Sequence, residues 1–211
     1  MWWVSRPPAI AAALLVIVIV FGALTVLRGL PPGLAVVDLG SALMVLALML
    51  AALVVASSRR DNPALPDQLS FRCSYARLAL WTLATVFIVL TSGILVADDG
   101  SIARCLIWPL YGGRLALGDL RGWLQIARRL IAGVAGILVV AVVVQAWRTP
   151  QRQAGIRRIA TAVSISFLFE ILLGVLILTF GPTTLLLVVY VATTTALWGL
   201  LVILVVSAGY T

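Results

Sequence analysis

Between Pro8 and Leu27 the chain carries no charged residue, and Ala, Leu, Val and Ile fill most of the run. A stretch of this kind matches the roughly 20 apolar residues that cross about 30 Å of hydrocarbon. Five more such stretches follow, from Val36 to Ala56, Leu78 to Ala97, Leu124 to Trp147, Ile156 to Phe180 and Thr184 to Val206. A backbone in lipid must satisfy its own hydrogen bonds, so runs of this length predict helices. The expected fold is all-α, a polytopic membrane bundle of six transmembrane helices. A hydrophobic fraction of 63% across 211 residues excludes an ordinary soluble domain.

The first run is longer than the apolar core of a secretory signal, and no small-residue cleavage site follows it, so a retained helix is expected. Pro31-Pro32-Gly33 reads as a short turn before the second run, which has Asp38 near its mouth. The polar stretch that follows marks a boundary. Residues 1–57 are expected to form a two-helix transmembrane prefix, 58–76 a cytoplasmic polar loop and 77–211 a four-helix bundle with an external loop at 98–122. Gly181-Pro182 reads as the tight turn that makes the last two helices antiparallel neighbours.

All fifteen basic residues are arginine. Beside membrane helices such charge is a topology signal, and the +8 balance is no indication of nucleic acid. With the N-terminus in the cytoplasm, nine arginines fall on that side and four on the other. Both termini are therefore expected to be cytoplasmic, in a bacterial cytoplasmic membrane. The same topology puts Cys73 and Cys105 on opposite sides, farther apart than the roughly 7 Å a disulfide permits between Cα atoms. There is no histidine. A heme or zinc site in a membrane bundle usually depends on imidazole, so those chemistries lose their ordinary ligand here.

Few residues remain that carry chemistry. Glu170 lies well inside the fifth run, where an ionisable group is costly and points to function by default. It reads either as a proton-handling or ligand-contacting group, or as a carboxyl fastening helices through Ser164, Ser166 or the Thr193-Thr194-Thr195 run. Arg128 and Arg129 lie one turn inside the external end of the fourth run. Either they snorkel to the headgroups or one turns inward against an anionic group. Gly133, Gly136 and Gly174 suggest close helix contacts. Trp123, Trp147, Tyr190 and Trp198 suit membrane boundaries, with Tyr190 and Trp198 deep enough to pack within the bundle. No nucleophile–base pair, phosphate loop or Cys-x-x-Cys pair is present, so no catalytic and no metal-ligating residues are assigned.

From the third run onward the chain resembles the heme A synthase family. Gly100, Ser101, Cys105, Trp108, Pro109, Leu110 and Gly113 fall in register with that family's external-loop motif. Gln125, Arg128, Arg129 and Ala132 take the places of its next motif, Glu-x-x-His-Arg-x-x-Ala, and Glu170 with Gly174 matches its Gln-x-x-x-Gly spacing. The resemblance covers about residues 77–211 and implies one four-helix half of an eight-helix protein that converts heme O to heme A. The departures are chemical. Tyr111 replaces the second loop cysteine, Arg128 the heme-ligating histidine and Gln125 the nearby glutamate. The partner histidine is due at about Tyr190 to Ala192, and none is there.

The resemblance implies a bundle kept without its oxidation chemistry, with a role in heme O or heme A handling or cytochrome oxidase biogenesis. Gln125, Arg128, Arg129 and Glu170 are the candidate ligand-facing positions, and Cys105, Trp108 and Pro109 identify the loop. The ligand implied is a heme or a prenylated molecule held without histidine from this chain, and the other expected partners are membrane lipid and further membrane subunits. The alternative is an accessory subunit of a respiratory or photosynthetic complex that uses the bundle as a scaffold. A third reading, an active synthase borrowing histidines from another chain, requires that partner.

Overall fold

The computed structural model describes residues 2–28, 32–61, 70–96, 120–148 and 154–209. Six α-helices run in order: α1 Trp2–Arg28, α2 Pro32–Asp61, α3 Ser74–Val96, α4 Leu120–Arg148, α5 Ala154–Phe180 and α6 Thr184–Gly209. Each is long and apolar enough to cross a membrane. There is no strand among the described residues. The chain is an all-α polytopic bundle, as its apolar runs predict.

Several helices outrun the apolar stretches that define them. α2 continues to Asp61 and α3 starts at Ser74, so each takes residues from the polar stretch expected as loop. Arg59 and Arg60 fall in the last turn of α2, where positive charge favours the exposed carbonyls of a helix C-terminus. α4 begins at Leu120 rather than after residue 122, which shortens the expected external loop. A backbone leaving hydrocarbon keeps its hydrogen bonds by staying helical until a breaker intervenes, and hydropathy alone does not register this.

The hinge between α5 and α6 has a specific cause. Gly181 adopts φ 82°, a left-handed conformation that costs a residue with a Cβ more than glycine. Its N–H donates to the Ile177 carbonyl at 3.0 Å and closes the end of α5. Thr183 then caps α6, with its Oγ1 accepting from the Leu186 N–H at 3.4 Å.

Helices α3, α4, α5 and α6 pack in sequence, and α6 returns against α3 to close a four-helix ring. α2 seats against both α3 and α6, while α1 packs on α2 alone among the described residues. Trp198 of α6 marks where three of these helices meet. It is 2% exposed, and its indole N–H donates to the Leu43 carbonyl of α2 at 3.1 Å. Its ring lies 5.7 Å from that of Phe87 on α3, tilted by 38°. Glycines permit this approach. A Cβ on Gly199 would stand 3.2 Å from Leu50 Cδ1, and one on Gly40 would stand 3.5 Å from Phe87 Cζ. Val55, Val142, Val163 and Leu204 of the same core are fully buried. Nearer the start of α2, Asp38 Oδ1 is buried with no hydrogen-bond partner among the described residues.

Candidate functional site

A second region of the ring is packed differently. All four helices contribute to a cavity of about 300 Å³. Val86, Val89 and Leu90 of α3 form one wall, and Phe167 and Ile171 of α5 line it opposite Ala135 and Val139 of α4. Arg128, Arg129, Glu170, Tyr190 and Thr194 line the same space. The polar groups are far from helix ends. Arg128 is eight residues into α4, Tyr190 six beyond the start of α6 and Glu170 ten before the end of α5. At 1.5 Å per residue these are depths of ~12, ~9 and ~15 Å from the end that carries the Gly181 turn.

The local chemistry follows from helical spacing. Tyr190 and Thr194 are one turn apart on α6, so their side chains share a face. Thr194 Oγ1 lies 3.1 Å from Glu170 Oε1 and 2.9 Å from the Tyr190 carbonyl. With one proton to give, it serves one of these acceptors at a time. The Tyr190 hydroxyl is in hydrogen-bonding reach of the same carboxyl, and Arg128 is near enough to act on Tyr190 electrostatically. Tyr190 is itself buried, packed with Leu173 and Ile177 of α5. The result is a connected polar cluster from α4, α5 and α6 facing an otherwise hydrocarbon-lined space.

Three of the four ligand-facing candidates therefore come together: Arg128, Arg129 and Glu170 all line the cavity. Gln125 belongs to α4, but its side chain lies outside the described residues, as do Cys105, Trp108 and Pro109. Both arginines are half-buried and line the cavity. Of the hydroxyls expected to fasten Glu170, Thr194 reaches it. Ser164 instead donates to the Ala160 carbonyl at 2.9 Å, and Thr193 to the Val189 carbonyl at 2.9 Å. Cys73 is an exposed free thiol.

One expectation is corrected. Gly133 does not mark a close helix contact, because an added Cβ there would meet nothing within 4 Å. It borders the cavity instead. Gly136 is a contact glycine as expected, with Phe167 Cζ 3.4 Å from the site of its missing Cβ. Small residues signal a close approach or an open space equally well, and sequence does not separate the two. Tyr190 was legible as a deep aromatic residue within the stretch, about Tyr190 to Ala192, where the resemblance places a partner histidine. The apolar α3 wall carried no signal beyond hydrophobicity.

The arrangement suits an amphiphile. The arginines can meet carboxylate or phosphate oxygens, with bidentate geometry open to a guanidinium. The remaining walls suit rings or alkyl chains, and the volume falls at the lower edge of the ~300–1,000 Å³ typical of ligand pockets. Among the described residues lining the cavity, the groups able to ligate iron are the oxygens of Tyr190 and Glu170.

A membrane-spanning helical bundle with a polar cluster buried beside an internal apolar cavity is the class this fold and site define. Comparison with known proteins makes it specific: the chain is similar to heme A synthases and to protoheme IX farnesyltransferases. It is 30% identical over 117 residues to the heme A synthase of Shouchella clausii, covering 54% of this chain and 39% of that protein. With the heme A synthase of Alkalihalophilus pseudofirmus it shares 26% identity over 115 residues, 52% of this chain and 39% of the relative. A protoheme IX farnesyltransferase of Roseiflexus castenholzii is 30% identical over 142 residues, 65% of this chain and 26% of the relative. The chain thus spans between about a quarter and two fifths of the curated relatives it matches. No family model matches the chain. No solved structure matches it either.

Proposed function

We propose that this chain is a non-catalytic heme A synthase-like membrane protein that holds a heme-type ligand for heme O or heme A handling. It would sit in a bacterial cytoplasmic membrane with both termini on the cytoplasmic side, a reading supported by the arginine asymmetry between its loops. The observation that carries the function is the cavity among α3 to α6. Arg128 in its lining stands in place of the family's histidine, and Tyr190 belongs to the stretch, about Tyr190 to Ala192, where the second histidine is due. Anchoring groups for carboxylates are retained, while imidazole ligands for iron are absent from these 211 residues. A site of this composition binds by ion pairing and burial, and it lacks the bis-histidine iron on which the family's oxidation chemistry would depend. The names of the relatives support a heme-type ligand, one being a heme A synthase and another a protoheme IX farnesyltransferase.

The test is an optical titration of the purified full chain in lipid nanodiscs with iron protoporphyrin IX. The expected result is saturable uptake of one equivalent without a low-spin bis-histidine spectrum. Absence of saturable uptake overturns the reading.

A further inference from the structure

The cavity is not sealed on all sides. Gly133 lines it and is exposed, and Ile137 and Val140, one and two turns further along the same face of α4, are 71% and 51% exposed and do not line it. A Cβ at Gly133 would meet nothing within 4 Å, so no described side chain fills the space directly over it. One turn further along α4 the situation is reversed, because Gly136 is met by Phe167 of α5 at 3.4 Å from its missing Cβ. The uncovered point therefore lies on the α4 face that turns toward α5, immediately beyond the Phe167 contact. Arg129 is placed beside it, half-buried, four residues before Gly133 on the same helix.

From this geometry we infer that the cavity is loaded sideways from the bilayer through the α4–α5 seam, with Gly133 as the sill of the opening. The inference rests on the proposed ligand-holding role of the same cavity. At ~20 Å from the start of α4, Gly133 lies at hydrocarbon depth, so what reaches it is dissolved in lipid rather than in water. The entrant is an amphiphile with an anionic end. Its apolar body travels in the bilayer, and Arg129 meets its carboxylates or phosphates at the seam before Arg128 receives them inside. Desolvating an anion at this depth is costly unless a counter-charge stands at the entrance, and a cation at the sill supplies one. Glycine at 133 leaves the gap that a larger side chain would close. Loading from either aqueous face is the competing route.

The experiment compares uptake rates in nanodiscs after stopped-flow mixing with vesicles of phosphatidylcholine carrying iron protoporphyrin IX. Gly133→Trp is expected to slow uptake about tenfold, equivalent to ~1.4 kcal/mol on the barrier. Val134→Trp, at a neighbouring residue that is 51% exposed and does not line the cavity, should leave the rate unchanged. Circular dichroism and thermal unfolding establish that each variant is folded, and Gly133→Leu serves if the tryptophan variant is not. An unchanged rate in the folded Gly133 variants, with normal uptake by the unsubstituted chain, overturns the lateral route and leaves the ligand-holding role intact. Equal slowing by Val134→Trp overturns it as well. Absence of saturable uptake by the unsubstituted chain removes both.

Discussion

The two places where α6 meets its neighbours are built on opposite principles. At Trp198 the large indole is closed in by α2 and α3, its N–H is satisfied by a backbone carbonyl, and glycines on α2 and α6 bring the helices together. Two turns earlier, at Tyr190 and Thr194, the same helix faces a void of about 300 Å³ with polar groups on its wall. Both lie at hydrocarbon depth and draw on the same stock of Ala, Val, Leu and Gly. The void is therefore no consequence of a composition unable to pack. Within membranes helices associate through van der Waals fit rather than exclusion of water, so an unfilled space forfeits stabilisation that the Trp198 region shows to be attainable.

The comparison predicts where substitutions act on stability and where they act on binding. The largest effect belongs to Trp198→Ala, which empties a fully packed site and orphans no buried donor. A loss of about 3–5 kcal/mol is expected, read by reversible denaturation in mixed micelles. A loss below about 1 kcal/mol would show that the three-helix junction is not the tight region. Next comes Gly136→Leu, which fills the cavity from the α4 side. Its Cβ meets only the tip of Phe167, a side chain able to turn aside. Stability should change by about 1 kcal/mol or less, while uptake of iron protoporphyrin IX falls at least about tenfold. Equal damage to folding and binding would remove the distinction between the two regions.

What could be read in advance divides along the same line. The six helices were legible because hydrocarbon thickness dictates run length and lipid dictates helix. Trp198 and Glu170 were legible as deep residues, and Arg128 and Arg129 as charges one turn inside the fourth apolar run. The seating of α2 between α3 and α6 was not, since it depends on Gly40 meeting Phe87 and on Gly199 meeting Leu50, pairings that no local pattern encodes. The cavity was not legible for a related reason. Gly133 and Gly136 are one turn apart and chemically identical, yet one borders open space and the other a phenyl ring. Only the placement of α5 decides which is which. The partner of Glu170 was open among five hydroxyls, and the register of α6 against α5 selects Thr194.

Within the cavity the two charged elements should separate in size. Arg128→Gln removes a guanidinium that can pair with ligand carboxylates, at a depth where water does not replace it. The expected cost is about tenfold or more in affinity for iron protoporphyrin IX. The dimethyl ester of the same porphyrin lacks the carboxylates and should bind both versions equally. Equal weakening toward acid and ester would place Arg128 in a purely structural role.

The smallest effect is expected from Glu170→Gln. The amide keeps the shape and the carbonyl acceptor facing Thr194, and its NH₂ can donate to the Tyr190 hydroxyl. If Glu170 chiefly ties α5 to α6, stability should shift by less than about 1 kcal/mol and affinity for the porphyrin should stay within about threefold. Glu170→Leu is the informative partner to it, because it deletes the acceptor and leaves the hydroxyls of Thr194 and Tyr190 facing hydrocarbon. Thr194 retains the Tyr190 carbonyl at 2.9 Å, so the residue left without its acceptor is Tyr190, and the expected loss is about 1–3 kcal/mol. Should Gln lower affinity as strongly as Leu while stability is retained, the carboxylate itself contacts the ligand. The cluster would then belong to the binding surface rather than to the scaffold that holds the cavity open.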